Sequence, residues 1–315
     1  MANLKTKYAG LTLNNPVIAS SSGVTDSVAR IEEMKETMHN MMSRPFISPE
    51  SMDFMEEEPH EDLIRKYLSL ISDCKKAVDI PVIASINAVS NQKWTYLASE
   101  IEKAGADAIE LNLFALPSDV ERTAQEIEDM YLSIVKEVIE KVQNIPVTIK
   151  ISHYFTAMGN IIEKFAKLGV KGIVLFNRYY SADIDIDEEV LTPSFILSDN
   201  SEIALPMRWI GLMSDKVDVD FAATTGIHTG ADVVKLLLAG APVVEVATAL
   251  YLKDFSVIKE MTEFVANWMD KKGYKNIDDF KGKLAHKGNK KSAAWERVQF
   301  MKEFRHFANK HMKRV

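Results

Sequence analysis

Cysteine is almost absent from this chain: Cys74 is the only one in 315 residues. It has no internal partner, which excludes a disulfide scaffold and makes a reducing cytoplasm the expected compartment. Long apolar runs are missing too. No stretch approaches the roughly 20 residues that span a bilayer, and no charged start leads into an apolar region with a cleavage site. A soluble protein with no membrane contact is therefore expected. His153 and His228 have no second histidine or cysteine at ligand spacing, so no metal is expected. Aromatic residues do not alternate with basic ones as in a stacking platform for nucleic acid, and no nucleic-acid partner is expected.

What is present is enough apolar material, 47% of residues, to bury a large α/β core. The net charge of -7 is unevenly spread: residues 271 to 315 hold 14 Lys/Arg against 4 Asp/Glu, so the remainder carries about -17. The division this predicts is a barrel over 1–270 and a basic, helical extension over 271–315 packed on the acidic barrel. Trp295, Phe300, Phe304 and Phe307 would cover a barrel face or an interface.

Along the chain, short apolar runs alternate with helical patterns. Strands are read at 15–20, 80–87, 108–113, 145–151, 172–177, 220–225 and 243–248, and helices at 26–40, 60–78, 92–104, 119–142, 157–168, 201–215, 231–239 and 255–270. Residues 41–59 follow neither period and read as loop, as do the acidic residues from Asp183 to Glu189. Strands this apolar are buried on both faces, so they belong to a parallel sheet covered by helices. Gly105, Gly169 and Gly240 recur between a helix and the next strand, and Ile-Pro-Val opens strands at 80 and 145. Repeated βα units point to a (β/α)8 TIM barrel, although only seven strands are counted.

Active sites of such barrels lie at the C-terminal strand ends, and there the chain places Ser20, Asn87, Asn112, Lys150, Asn177, Thr225 and Thr248. Lys150 points toward the interior, where an unpaired ammonium is costly. It faces either an anionic ligand or a buried partner, Glu110 or Glu245. Asn112 and Asn177 add amides, as ligand groups or as turn formers. Thr225-Gly226 and Ala247-Thr248 lie in turns between strand and helix, where backbone amides suit a phosphate; the plain alternative is that these are turn and packing residues.

These residues resemble the dihydroorotate dehydrogenases, FMN-dependent barrels, and the soluble class 1 enzymes above all. The resemblance runs from Tyr8 to about Leu250. Asn15-Pro16-Val17-Ile18-Ala19-Ser20 is similar to the first strand, where Ala19 and Ser20 would contact flavin. Glu110-Leu111-Asn112 is similar to the start of E-L-N-x-S-C-P-N, Thr224-Thr225-Gly226-Ile227 to a G-G-I phosphate turn, and Glu245-Val246-Ala247-Thr248-Ala249-Leu250 to Q-V-G-T-A-L. The resemblance implies FMN held by Ala19, Ser20, Asn87, Asn112, Lys150, Thr225, Gly226, Ala247 and Thr248. Lys150 would lie beside flavin N1 and O2, and Asn112 and Asn177 would hold the substrate ring, the three forming the catalytic set. A homodimer acting on dihydroorotate or a related cyclic substrate is implied. A relative with another substrate, or a non-redox barrel for a phosphorylated ligand, are the alternatives.

Two departures stand out. Where the family has S-C-P-N, this chain has Phe114-Ala115-Leu116-Pro117, so the basic cysteine is an alanine, and Ser118 would need a shifted loop to replace it. Arg178, after Asn177, would crowd the ring or pair with a more acidic substrate. The second βα unit reads as missing or abbreviated, as if roughly twenty residues were absent from an ordinary repeat near Met34-Lys35. Arg44-Pro45-Phe46-Ile47-Ser48 is a poor substitute for its strand.

Overall fold

The structure, a computed structural model, describes residues 2–37, 44–47, 60–87, 91–179, 181–194, 197–287 and 293–296. The chain opens with a hairpin of β1 (Thr6–Tyr8) and β2 (Leu11–Leu13), which the sequence reading did not foresee. Its turn, Ala9-Gly10, has φ 50 and 81, the doubly left-handed geometry suited to a two-residue hairpin loop. Eight parallel strands then close a barrel: β3 (Val17–Ala19), β4 (Arg44–Ile47), β5 (Ile83–Ile86), β6 (Ala108–Leu113), β7 (Val147–Ile151), β8 (Gly172–Leu175), β11 (Asp220–Thr224) and β12 (Val243–Val246).

The TIM barrel is therefore complete: of the two readings of the second unit, missing or abbreviated, the first is corrected, and the strand is a short one within Arg44–Ser48. Arg44–Ile47 pairs with β3 through Ile18↔Arg44 and Ala19↔Pro45, and with β5 through Phe46↔Ile83 and Ile47↔Ala84. The strand is short, and its proline hides the alternation by which strands are read. Closure follows from the cost of leaving two sheet edges unpaired. The rest of 41–59 lies outside the described residues, as does the end of the helix read at 26–40.

Helices cover the strands: α1 (Val28–Thr37), α2 (His60–Ala77), α3 (Asn91–Ala104), α4 (Ala124–Lys141), α5 (Met158–Leu168), α6 (Ala204–Met213), α7 (Gly230–Ala239), α8 (Thr248–Lys253) and α9 (Ser256–Lys272). In α2 the buried face is Leu63, Tyr67, Ile71 and Cys74, spaced by three and four residues. α4 starts five residues later than read from sequence, because Thr123 and Glu126 form a reciprocal capping box there. The acidic stretch is no loop. It is an antiparallel hairpin of β9 (Ser181–Asp185) and β10 (Val190–Ser194), mostly solvent-exposed.

One apolar layer closes the barrel floor, where Tyr8, Leu13, Ile18, Ile83, Ala108, Val174, Ala222 and Val243 pack together. The larger core lies between strands and helices. Residues 271–287 pack on it: Ile277, Phe280 and Ala285 are buried, and Gly282 and Leu284 donate backbone hydrogen bonds to Leu237 and Leu238. Beyond them α10 (Ala293–Glu296) sets the Trp295 ring against Gly211. Phe300, Phe304 and Phe307 lie outside the described residues. Among the described residues no helix is long and apolar enough to cross a membrane.

Candidate active site

The C-terminal strand ends surround a cavity of about 610 Å³, within the roughly 300–1,000 Å³ of small-molecule sites. Ser20, Lys150, Asn177, Thr225, Gly226, Ala247 and Thr248 all line it. Three other sequence candidates do not. Asn112 is fully buried beside the cavity and reaches it through Asn177, whose Nδ2 donates to Asn112 Oδ1 at 2.5 Å. Ala19 is buried in the core outside the strands. Asn87 is exposed at the end of β5.

Lys150 settles its own alternative. Its ammonium donates to Glu245 Oε2 at 3.4 Å and to Ser20 Oγ at 3.3 Å, and Ser20 Oγ donates to the same Glu245 oxygen at 3.2 Å. The buried carboxylate is thus a partner already, and the same lysine still faces the cavity. Glu110, one strand away on β6, is buried as well, with Ser85 donating to its Oε1 at 3.0 Å. Burial, then the nearby Glu245 charge, pushes the Glu110 carboxyl well above the usual carboxylate range, against the pull of Lys150.

At the opposite rim, Thr225 and Gly226 both have left-handed backbones, φ 77 and 75. For threonine this is an unfavourable conformation that the surroundings must hold. Thr225 Oγ1 donates to the Phe176 carbonyl at 3.2 Å. Gly226 is needed for space too, because a Cβ there would lie 2.5 Å from the Ile203 nitrogen. Its N–H donates to Ser198 Oγ at 3.3 Å, and Ser198 Oγ donates to Thr248 Oγ1 at 2.9 Å. The start of α7 is satisfied internally: Thr229 and Asp232 form a capping box, and Asp232 Oδ2 accepts from the backbone of His228 and Thr229 and from Asn200. Any anion at this rim therefore meets the 225–226 and 247–248 turns rather than the α7 dipole.

The loop after β6 is built differently. The Ala115 N–H donates to Tyr131 Oη at 2.8 Å, and Tyr179 Oη donates to the Ala115 carbonyl at 2.9 Å. Phe114 and Tyr179 stack at 4.3 Å, and Tyr154 meets Tyr179 edge-on at 5.1 Å. Burial raises the Tyr179 phenol above its ordinary range and pushes Tyr131 up to about 12. Ser118 is exposed and does not line the cavity. Arg178 lines the cavity, with its Nε donating to Glu202 Oε2 at 2.9 Å. Cys74 is no substitute nucleophile, because it lies in the α2 core with its thiol pushed up to about 12.

A family profile described as dihydroorotate dehydrogenase matches residues 56–269, more than half of the chain. The chain belongs to the dihydroorotate dehydrogenase family. Enzymes of this family are FMN-binding oxidoreductases that act on CH–CH bonds. The catalytic subunit of dihydroorotate dehydrogenase B (NAD(+)) from Pyrococcus furiosus is 32% identical over 222 residues, 68% of this chain and 71% of that protein. The corresponding subunit from Thermoplasma volcanium is 26% identical over 310 residues, 90% of this chain and 98% of its own length. The NAD-dependent dihydropyrimidine dehydrogenase subunit PreA of Escherichia coli is 24% identical over 257 residues, 75% of this chain and 60% of PreA. A crystal structure of the Eimeria tenella dihydroorotate dehydrogenase shares the fold, with a TM-score of 0.67 at 16% identity, covering 89% of this chain and 88% of that one.

The residues that sequence reasoning missed are Ser198, Glu202 and Tyr179. None carries a local signal. Ser198 and Glu202 lie in the connection before α6, and Tyr179 is one aromatic residue in a loop; only the fold brings Ser198 and Tyr179 to the cavity and Glu202 to Arg178.

Proposed function

We propose that this protein is an FMN-dependent oxidoreductase that moves a hydride and a proton across a CH–CH bond of dihydroorotate or a related cyclic substrate. The observation that carries this reading is Lys150, a buried cation at the strand ends of a cavity whose other rim is a left-handed threonine–glycine turn. The donor set suits FMN: hydroxyls of Ser20, Thr225 and Thr248, backbone amides at 226 and 247–248, and one ammonium. Thr225, Gly226, Ala247 and Thr248 would hold the phosphate and sugar side, and Lys150 with Ser20 the ring, with Ala19 and Asn87 as the outer contacts that the family pattern implies. FMN bound there supplies the hydride acceptor or donor.

The other steps fall to the chain itself. The Asn112–Asn177 amide pair orients a ring by hydrogen bonds. Lys150 places positive charge where negative charge develops, a fixed dipole needing no reorganisation. Ala115 accepts no proton; among the described residues at this end of the cavity, the Tyr179 phenol held on the Ala115 carbonyl would exchange one. Burial keeps that phenol protonated at neutral pH, so it would give a proton rather than take one, which favours a related substrate taken in the direction of reduction over dihydroorotate oxidation. The resemblance to class 1 enzymes also supports a cytoplasmic homodimer with no nucleic-acid partner, with residues 1–270 as the FMN-binding barrel and the basic extension 271–315 packed against it.

Purified protein should show flavin absorbance. Anaerobic bleaching by dihydroorotate supports the family reaction, and bleaching only by another dihydropyrimidine supports the related substrate. Flavin that no dihydropyrimidine reduces would sink both, and a flavin-free protein would leave the phosphate-ligand barrel.

A further inference from the structure

One side chain at the cavity rim has no part in the steps above. Tyr251 stands on α8 three residues after Thr248, so the two share a face of that helix, and both line the cavity. Ala249 and Leu250 beside it are buried and fix α8 on the barrel, whereas Tyr251 itself is 51% exposed and marks the edge of the cavity.

Across from it is the turn after β3, and β3 pairs with β12, the strand that leads into α8. Ser20, Ser21 and Ser22 of this turn line the same cavity. The turn is closed on itself: the Ser22 N–H donates to Thr25 Oγ1 at 3.1 Å, Thr25 Oγ1 donates to the Ser22 carbonyl at 3.0 Å, and the Ser22 hydroxyl donates to the Ser20 carbonyl at 3.2 Å. Arg30 donates to the Gly23 carbonyl. Gly23 is not among the glycines with a positive φ, so the backbone does not demand it. Space does: a Cβ there would lie 2.9 Å from Tyr251 Oη and 4.0 Å from its Cζ. The phenol thus reaches across the seam between the first and last βα loops of the barrel.

We propose that Tyr251 is a ligand-retaining residue, whose ring, admitted by Gly23, covers the seam beside the Ala247-Thr248 turn and slows the exit of what the cavity holds. An exposed side chain changes rotamer in picoseconds to nanoseconds, so the ring does not retard exit by its own motion. It acts by keeping water from the hydrogen bonds at the turn, which are stronger when water is excluded. The ring does this and the hydroxyl is dispensable. That the retained ligand is FMN, covered at its phosphate and sugar side, rests on the reading above; the cover itself does not.

In the full-length protein, Tyr251→Ala should release FMN at least about tenfold faster, followed by the recovery of flavin fluorescence, and Tyr251→Phe should stay within about twofold of wild type. Gly23→Ala, which displaces the phenol without straining the backbone, should speed release with an unchanged urea midpoint. Equal release from wild type and Tyr251→Ala, or Tyr251→Phe as fast as Tyr251→Ala, overturns the proposal. A second readout needs no flavin. The Ser21 hydroxyl is buried with no hydrogen-bond partner among the described residues, so Ser21→Cys puts a thiol in the cavity wall at little cost, and Cys74 is buried elsewhere. That thiol should react with a water-soluble disulfide reagent at least about tenfold faster once Tyr251→Ala is added, and no faster with Tyr251→Phe. A rate that Tyr251→Ala leaves unchanged overturns the cover whatever the cavity binds. A flavin-free protein that shows the acceleration keeps the cover and refutes the FMN reading.

Discussion

The two rims of the barrel mouth differ in what they conserve of the family pattern. At the β11–β12 rim, the turns retain Gly226 and Thr248 of the pattern, with Thr225 and Ala247 in place of glycines, and Gly226 leaves no room for a side chain. At the β6–β8 rim, the loop that holds a basic cysteine in the family is an alanine pinned between two tyrosines, and the residue after Asn177 is an arginine tied to Glu202. On the FMN reading proposed above, the first rim would face the phosphate, where close approach of the backbone favours small residues, and the second would face the substrate, where a new side chain would change which molecule reacts. On that reading the chain would keep the cofactor and alter the substrate, and the contrast between the rims would locate the change.

The sharpest break of this contrast is Tyr179→Phe. The variant should keep its flavin and lose about 10²–10⁴-fold in substrate-dependent flavin turnover, read by anaerobic stopped-flow, because a general acid contributes on that order. An unchanged rate would remove Tyr179 from the chemistry.

Lys150→Ala comes next. It leaves the buried Glu245 carboxylate without its cation, which should cost about 3 kcal/mol in a urea titration. Flavin reduction should slow by about 10²-fold while flavin content falls far less. If content and rate fall together, Lys150 is a binding residue only.

Gly226→Ala attacks the other rim. A left-handed backbone at φ 75 and a Cβ 2.5 Å from the Ile203 nitrogen should destabilise the turn by about 1–3 kcal/mol. The visible effect is a lower ratio of flavin to protein in the purified sample, with the rate per bound flavin kept.

The smallest effect concerns pH. Glu110 is raised in the fold above the unfolded value of about 4.3, so the folded state keeps a proton that the unfolded chain has released. Its contribution to stability is fully present below that value and is lost as pH rises toward the folded value, at about 1.4 kcal/mol per pH unit. Glu110→Gln should flatten that part of the stability profile, measured by urea midpoints from pH 4.5 upward.

Local pattern carried most of the architecture. Apolar runs bounded by turn residues mark strands buried on both faces, and seven of them were legible because burial on both faces leaves its imprint on each residue in turn. The eighth, Arg44–Ile47, was not, since a four-residue strand with a proline and an arginine has no such imprint and is defined by its neighbours on β3 and β5. The strand-end polar residues were legible as a group for the same reason: in a closed barrel, position along the strand determines which residues reach the mouth.

What the sequence by itself determined, then, is the repeating βα unit, the floor-to-mouth direction and the residues standing at the cavity rim. Only the tertiary structure decided which of them meet. Lys150 and Glu245 are 95 residues apart, and Asn112 and Asn177 are 65. Asn87 turned out exposed, Arg178 bound to Glu202, and Tyr179 placed on Ala115. The reason is physical: periodicity records the environment of each residue along the chain, whereas the Lys150–Glu245 pair and the raised pKa of Glu110 depend on strands that only the closed barrel brings together.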